Sequence, residues 1–397
     1  MRVRRCRVLF LELREEVEFD LSQLLAGSAG LRRNTRWLAL APHLDAEVEI
    51  SGEERELLGA FSCGSTKDVD EQTAKECTAF RRLVDKGLLI SDADDAALHR
   101  SRDQLVRDHH WWPAAAMLHR QGRWNGVDGA KAMEENDLLT ADGVLKQFGP
   151  PPAHVGERAP HTERIPLPLT EGGDLDALLA RRATCRNFAA RELSGCLFAK
   201  MLQRVFSAQA QARVGENSVF LKKTSPSGGG LHATEAYLIV QNVEGIAPGL
   251  YHYHPVDHAL EPLPGPDMPL ADFAKLALAG QHWFKNAPVL VVLAPRFARS
   301  FWKYRHHAKA YRALILDSGH LSQTLYLSAT ELELGAFVTS AINEIDIERA
   351  FGMDALEESP LAICGFGWRA ERMETTEFDP AGEVWEPAES SSGDPSL

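Results

Sequence analysis

The sequence lacks the usual patterns for a structural metal or a disulfide framework. Its six cysteines, Cys6, Cys63, Cys77, Cys185, Cys196 and Cys364, contain no C-x-x-C pair. No cysteine–histidine cluster has zinc-ligand spacing. Thiols scattered in this way are expected to stay reduced in the cytoplasm. Cys185, flanked by basic residues, is the one candidate for a reactive thiol, beside the commoner reading of a buried one. Positive charge is also scarce. Lys+Arg number 43 against 56 Asp+Glu, a net −13, which argues against a nucleic-acid partner. No apolar run approaches the roughly 20 residues of a membrane span, and Val8–Leu13 is too short for the apolar core of a secretion signal. There is no internal repeat.

What is present reads as globular protein. Hydrophobic content of 44% and charged content of 25% over 397 residues suit two or three domains. Val3–Leu13 and Trp37–Leu40 alternate in places and predict short strands. Ser51-Gly-Glu-Glu54 matches a capping box, with Ser51 as N-cap, and the helix it starts should turn Leu57, Leu58 and Phe61 inward. A second helix over Val69–Lys86 should stop at Gly87, and Leu88-Leu89-Ile90 reads as a strand. Helix, helix and strand after a strand-rich start predict a small winged-helix-like domain over residues 1–100. Its second helix carries Asp70, Glu71, Glu76 and Asp85, so peptide binding is the better functional reading than DNA. A packing role without any ligand is the bland alternative.

Residues 101–168 read as a helical connector and Pro-rich linker. Ala96–Asp108 and Ala114–Arg120 look helical, and His109-His110-Trp111-Trp112-Pro113 lies between them. The paired histidines have no acidic or cysteine partner at ligand spacing, so the aromatics are expected to brace the next helix or cover a flat surface rather than hold a metal. Gly149–Pro168, with Pro150-Pro151-Pro152, is expected to be extended and to mark the main domain boundary. Residues 169–385 form the second domain. Residues 386–397, with Ser390-Ser391-Ser392-Gly393, are expected to be a disordered tail.

The second domain carries the chemistry. Arg182, Thr184 and Arg186 alternate, so an extended segment puts them on one face. Two guanidinium forks and a hydroxyl on one face suit a phosphate. A solvated basic stretch is the ordinary reading of any isolated R-x-T-x-R. Ser194 caps a helix over Gly195–Phe206. Thr224–Val240 then runs from a tight loop, Pro226-Ser227-Gly228-Gly229-Gly230, into a buried strand. Pro226 restricts the loop, and its glycines let backbone approach something flat or bulky. Val289-Leu290-Val291-Val292-Leu293 reads as a strand covered on both faces. Lys303–Leu332 is expected to be mostly helical, with Leu314, Ser318, Leu321 and Leu325 on one face. His252, His254 and His258 read as strand and turn residues rather than ligands.

Six motifs follow one another in a familiar order. They are R-x-[ST]-x-R, P-S-x-G before an E-x-Y strand, P-G-L-Y-x-Y, K-Y-x-x-x-x-x-A-Y-R, G-H-x-x-Q-x-L-Y-L and a final G-F-G. Over about residues 170–370 this resembles the SagB/ThcOx-type dehydrogenases among the nitroreductase-like flavoproteins. The N-terminal third is most similar to a subgroup named as candidate peptide maturation dehydrogenases. The resemblance implies an α+β fold with a mixed sheet flanked by helices, an obligate homodimer, and FMN at the dimer interface. It implies that Arg182, Thr184 and Arg186 hold the flavin phosphate and ribityl chain, that Pro226, Ser227, Gly228 and Gly229 touch the flavin, and, more loosely, that Gly367 and Arg369 lie at a second phosphate contact. Lys303 and Tyr304 match the pair that azoline-oxidising members use for proton transfer. A Lys desolvated in an apolar flavin pocket has a lowered pKa and can act as a base; a surface cation is the bland reading. One departure stands out: Ser340 and Ala341 occupy places where many members carry glycines near flavin N5.

The function these features predict is FMN-dependent oxidation of thiazoline or oxazoline rings in a ribosomally made precursor peptide. Lys303 or Tyr304 would take a ring proton while hydride passes to the flavin. A cyclase or other maturation subunit is an expected companion; nucleic acid and membrane are not. Two rivals stand beside this reading. One is flavin-dependent reduction of dehydrated residues, with Tyr304 as the acid. The other is a non-catalytic scaffold whose first 100 residues grip a leader peptide at a sheet edge.

Overall fold

The computed structural model describes residues 1–216 and 218–371. The expected tail at 386–397 lies outside the described residues. The chain forms two compact units. The first comprises Met1–Arg123, Arg296–Ala313 and Asp354–Glu358; the second comprises Trp124–Pro295, Leu314–Met353 and, of the described residues that follow, 359–371. Compactness thus divides the chain at Arg123–Trp124 rather than at the Pro-rich stretch, and it places two later segments in the first unit. Residues 150–173 are exposed and carry no regular element except a short 3-10 turn, His161–Glu163.

In the first unit, Arg2–Arg5 pairs antiparallel with both Lys67–Asp68 and Leu89–Ser91. A second antiparallel sheet joins Phe10–Phe19, Leu31–Leu40 and Val48–Ile50. The Ser51 capping box forms as spelled: the Glu54 N–H donates to Ser51 Oγ at 3.1 Å, and the Ser51 N–H donates to Glu54 Oε2 at 2.7 Å. The helix it opens, Gly52–Gly59, buries Leu58, with Phe61 just beyond, in a core with Val3, Phe80, Leu83 and Ile90. Gly87 ends the helical stretch at φ 71°, as expected of a C′ glycine.

The single helix expected over Val69–Lys86 is in fact two, Glu71–Glu76 and Thr78–Asp85. Ala74, Phe80 and Leu83 all point into the core. The six-residue step from Ala74 to Phe80 is out of phase with the roughly seven residues of two helical turns. The extended backbone of Cys77 resets that phase.

The second unit is built on a six-stranded sheet. Its order is Ala259–Pro262, Gly249–His254, Thr234–Val240, Val289–Pro295, Ala362–Gly367, Gly335–Thr339, antiparallel at every pairing. A parallel bridge from Thr184 to Ala336 extends its edge. Helices cover both faces. Val289, Val291 and Leu293 face a core with Phe198, Leu202, Leu321 and Leu325. Leu290 and Val292 face another with Phe273, Ile347 and Phe337. This two-sided burial is why the 289–293 run contains no polar residue.

Asn343 ties this unit together. It is fully buried, its amide donates to the carbonyls of Val127 at 2.9 Å and Leu276 at 2.7 Å, and its side-chain oxygen accepts the Val127 N–H at 2.8 Å. Beside it, Glu344 and Asp346 accept the N–H groups of Trp124 and Gly126. The loop at 124–127 is thereby held at the start of the helix Glu344–Phe351.

Candidate active site

The R-x-T-x-R segment is extended. Ala183, Cys185 and Asn187 are buried, while Arg182, Thr184 and Arg186 are half-buried on the other face. The Cys185 N–H donates to the Ala336 carbonyl at 2.8 Å, and the Cys185 thiol is directed to the Asn187 carbonyl at 3.1 Å. Cys185 is therefore a packed residue of the strand and not an accessible thiol. Arg369 donates to the Ala183 carbonyl at 3.1 Å, and its backbone bridges to Phe188, so Arg369 backs the same segment. Gly367 is buried and faces inward; a Cβ there would stand 2.2 Å from Pro288 Cδ. Packing alone accounts for that glycine.

Tyr326, on the long helix Ala310–Glu331, anchors the segment from behind. Its hydroxyl lies 3.2 Å from Thr184 Oγ1 and accepts the Val338 N–H at 3.2 Å. The Arg182 guanidinium lies 5.6 Å from the centre of its ring. Burial pushes the Tyr326 phenol above its ordinary pKa, so it stays neutral and can donate to Thr184. In the departing stretch, the Ala341 N–H is taken by Thr339 Oγ1 at 3.2 Å.

The Gly-rich loop is held by the same helix. Ser227 Oγ donates to Asp317 Oδ2 at 2.6 Å, and the Gly228 N–H donates to Asp317 Oδ1 at 2.9 Å. Ser227 Oγ accepts the His232 N–H at 2.9 Å. Ser225 Oγ lies 2.7 Å from Thr324 Oγ1. Gly229 and Gly230 take φ of 66° and 70°, which a β-carbon would disfavour. Asp317 was not among the residues singled out from sequence. An acid between the apolar positions Leu314 and Leu321 was the only signal, and nothing local says what it binds.

Asp317 and Thr324 are about two helical turns apart and share a face, whereas Tyr326, about two and a half turns from Asp317, lies opposite. Within one chain, the Arg182–Arg186 segment and the Pro226–Gly229 loop therefore flank the long helix on opposite sides. Between them the helix exposes Ile315 (50%) and Leu316 (57%), followed by Gly319, His320 and Gln323.

Lys303 and Tyr304 lie in the first unit. The helix expected from Lys303 begins only at Ala310. Residues 302–309 form turns in which His306 has φ 51°, a value no α-helix admits. Lys303 is exposed, its ammonium 5.7 Å from the Tyr304 ring centre, so the apolar pocket expected around it is not supplied by its own turn. That turn is braced by the 109–111 segment. The His306 N–H donates to the His110 carbonyl at 2.9 Å, and His306 Nδ1 lies 3.2 Å from the Trp111 carbonyl. Trp111 is buried among Phe297, Phe301, His119 and Tyr311.

His119 completes this aromatic cluster. Its Nε2 lies 2.8 Å from the Ala355 carbonyl and so carries the proton, leaving Nδ1, 3.1 Å from the Tyr311 hydroxyl, to accept. Burial pushes its pKa down from 6.5 to about 3. The unfolded chain binds a proton at His119 near pH 6.5 and the folded chain does not. Its contribution to stability is therefore complete above pH 6.5 and is lost as pH falls toward about 3. Thermal melts between these limits are expected to show a downward slope with acid that His119→Gln flattens; equal slopes would remove His119 as the cause.

Residues 179–368 match the model of the Nitroreductase family. The chain is 28% identical over 215 residues to a nitroreductase candidate, MJ1384, of Methanocaldococcus jannaschii, covering 53% of this chain and 98% of that protein. It is 25% identical over 323 residues to the trifolitoxin operon protein TfxC of Rhizobium leguminosarum bv. trifolii, covering 78% of this chain and 85% of that one. Among solved structures, the E. coli microcin synthetase McbBCD complex with truncated pro-MccB17 bound contains a chain that aligns at TM-score 0.49 and 22% identity, over 66% of this chain and 96% of that chain. The chain carries a nitroreductase-family domain over residues 179–368.

Proposed function

We propose that this protein is an FMN-dependent oxidoreductase that matures a ribosomally made peptide in the cytoplasm by oxidising azoline rings to azoles. The single observation that carries the cofactor reading is the donor set on the 182–186 segment: two guanidiniums and a hydroxyl share the accessible face of a strand whose other face is buried. That set fits a flavin phosphate in a family whose members typically bind flavin. Arg182 and Arg186 would hold the phosphate and Thr184 the ribityl chain. Arg369 would keep the strand in register. Similarity to a trifolitoxin operon protein along 78% of the chain supports a peptide substrate.

A working homodimer is part of the same reading. Neither flank of the long helix alone carries both the arginines and the Gly-rich loop, and a second copy would bring one set to the other. The exposed Ile315–Gln323 stripe supports the helix itself as the contact. Bound flavin supplies the hydride acceptor. Lys303 or Tyr304 takes the ring proton, and closure by substrate peptide supplies the desolvation that lets a lysine act as a base. The winged-helix-like first domain, residues 1–100, would hold the leader portion of the peptide, and a cyclase would supply the azoline.

The test starts with an absorbance spectrum of the purified full chain and the mass of the released chromophore, expected to be FMN. Lys303→Ala is expected to keep the flavin and lose about 100-fold or more in azole formation. Full turnover by that variant removes Lys303 from the chemistry. Rapid bleaching by NAD(P)H would instead favour reduction of dehydrated residues. A protein that stays colourless when offered FMN would favour a scaffold.

A further inference from the structure

We propose that Asp317 is the positioning residue for the cofactor loop, an assignment that rests on the flavin reading above. Its carboxylate is buried on the long helix and accepts two hydrogen bonds from consecutive loop residues, the Ser227 hydroxyl and the Gly228 N–H, at 2.6 and 2.9 Å. An ionised carboxylate offers acceptor positions only, so it can meet both donors at once. Charge makes each of these bonds stronger than its neutral counterpart.

The loop also bonds within itself, Gly230 N–H to the Ser227 carbonyl at 2.9 Å, and Ser225 Oγ donates to the His320 carbonyl at 3.4 Å. Gly229 and Gly230 adopt left-handed backbone angles and bring no side chain to pack. Gly230 has open space where a Cβ would stand. Pro226 restricts only its own φ. The fixed points are therefore Ser225 at Thr324, one turn-pair along the same helix face, and Ser227–Gly228 at Asp317.

The Ser227 hydroxyl is defined just as tightly. Its one proton goes to Asp317 and one lone pair takes the His232 N–H, which leaves a single lone pair for a ligand. The Thr234 hydroxyl, buried at the start of the following strand, lines the same small cavity as Ser227, Asp317 and Lys223, and it has no hydrogen-bond partner among the described residues. An unsatisfied hydroxyl beside a loop held this firmly marks a place where a ligand's polar atom is wanted.

Asparagine separates position from bulk. Asp317→Asn keeps the shape but presents one oxygen and one NH₂, so one of the two loop donors faces another donor. Ser227→Ala removes one donor and leaves the Gly228 bond intact. Full-length wild type, D317N, S227A and the double variant are titrated with FMN, and hydrogen exchange of a 224–232 peptide is followed without flavin. D317N is expected to weaken FMN binding by about 10- to 100-fold, to shift the visible bands of bound flavin and to speed exchange in that peptide. The double variant is expected to bind within a few-fold of S227A, because asparagine then faces only the Gly228 N–H.

D317N that binds FMN with wild-type affinity and spectrum overturns the assignment. So does loss of affinity accompanied by exchange that rises evenly over the whole chain, which is what general destabilisation gives. If the wild type binds no FMN, the flavin reading falls, and unchanged 224–232 exchange in D317N would separately remove Asp317 as the loop's anchor.

Discussion

A chain with Arg182 and Arg186 both replaced by alanine is expected to purify colourless. The two guanidiniums lie on one face of an extended segment. A flavin phosphate held there accepts charge-assisted bonds from both forks. Loss of such bonds at two residues weakens FMN by roughly 10²- to 10⁴-fold. Lysine at both positions keeps the charge but not the planar fork, and should recover part of the loss. Arg181 is the internal control. It is one residue away but pairs with Glu333 at 2.8 Å, so Arg181→Ala should keep its flavin. Equilibrium titration of apo-protein by flavin fluorescence gives the comparison. Wild-type affinity in the double variant would move the phosphate elsewhere.

The largest effect on stability is expected from Asn343→Leu. The asparagine side chain satisfies three backbone groups in a fully buried place, both polar groups of Val127 and the carbonyl of Leu276. Leucine has similar volume but leaves all three without partners. Each stranded group costs about 1–3 kcal/mol, so a total of roughly 3–9 kcal/mol is expected. Against a stability of about 5–15 kcal/mol that is a large fraction. In a scanning melt it corresponds to a fall of roughly 6–36 °C, at about 2–4 °C per kcal/mol. Asn343→Asp keeps the acceptor for the Val127 N–H and loses both donors, so its loss should be close to leucine's. A melt within about 2 °C of wild type would show that the 124–127 loop is held by Glu344 and Asp346 alone.

Much of the architecture could be read from local residue patterns because local physics decides it. Ser51 and Ser194 are caps that need only their own next turn. Gly87 is a stop because only its own φ is at issue. The 289–293 run announces two-sided burial by composition, and Arg182, Thr184 and Arg186 announce a shared face by period. What stayed hidden depends on partners far along the chain. Asp317 looks like any helical acid until the loop ninety residues earlier is placed on it. Asn343 looks like a helix start until Val127 and Leu276 arrive. The turn at Lys303 looked helical because its composition permits a helix, and His306 breaks it through a contact with His110. The split at Cys77 follows from a phase error between Ala74 and Phe80, visible only once both are known to be buried.

The division of the chain between its two units limits how this protein can be taken apart. Membership changes at 123/124, 295/296, 313/314, 353/354 and 358/359. Phe297, Phe301 and Tyr311 come from the second half of the gene, yet they pack on Trp111 and His119 from the first. A graft of residues 169–397 onto another N-terminus would leave those three rings facing water. Natural recombination at one junction would meet the same obstacle, so this front portion and its flavoprotein-like remainder are expected to be inherited as one cassette.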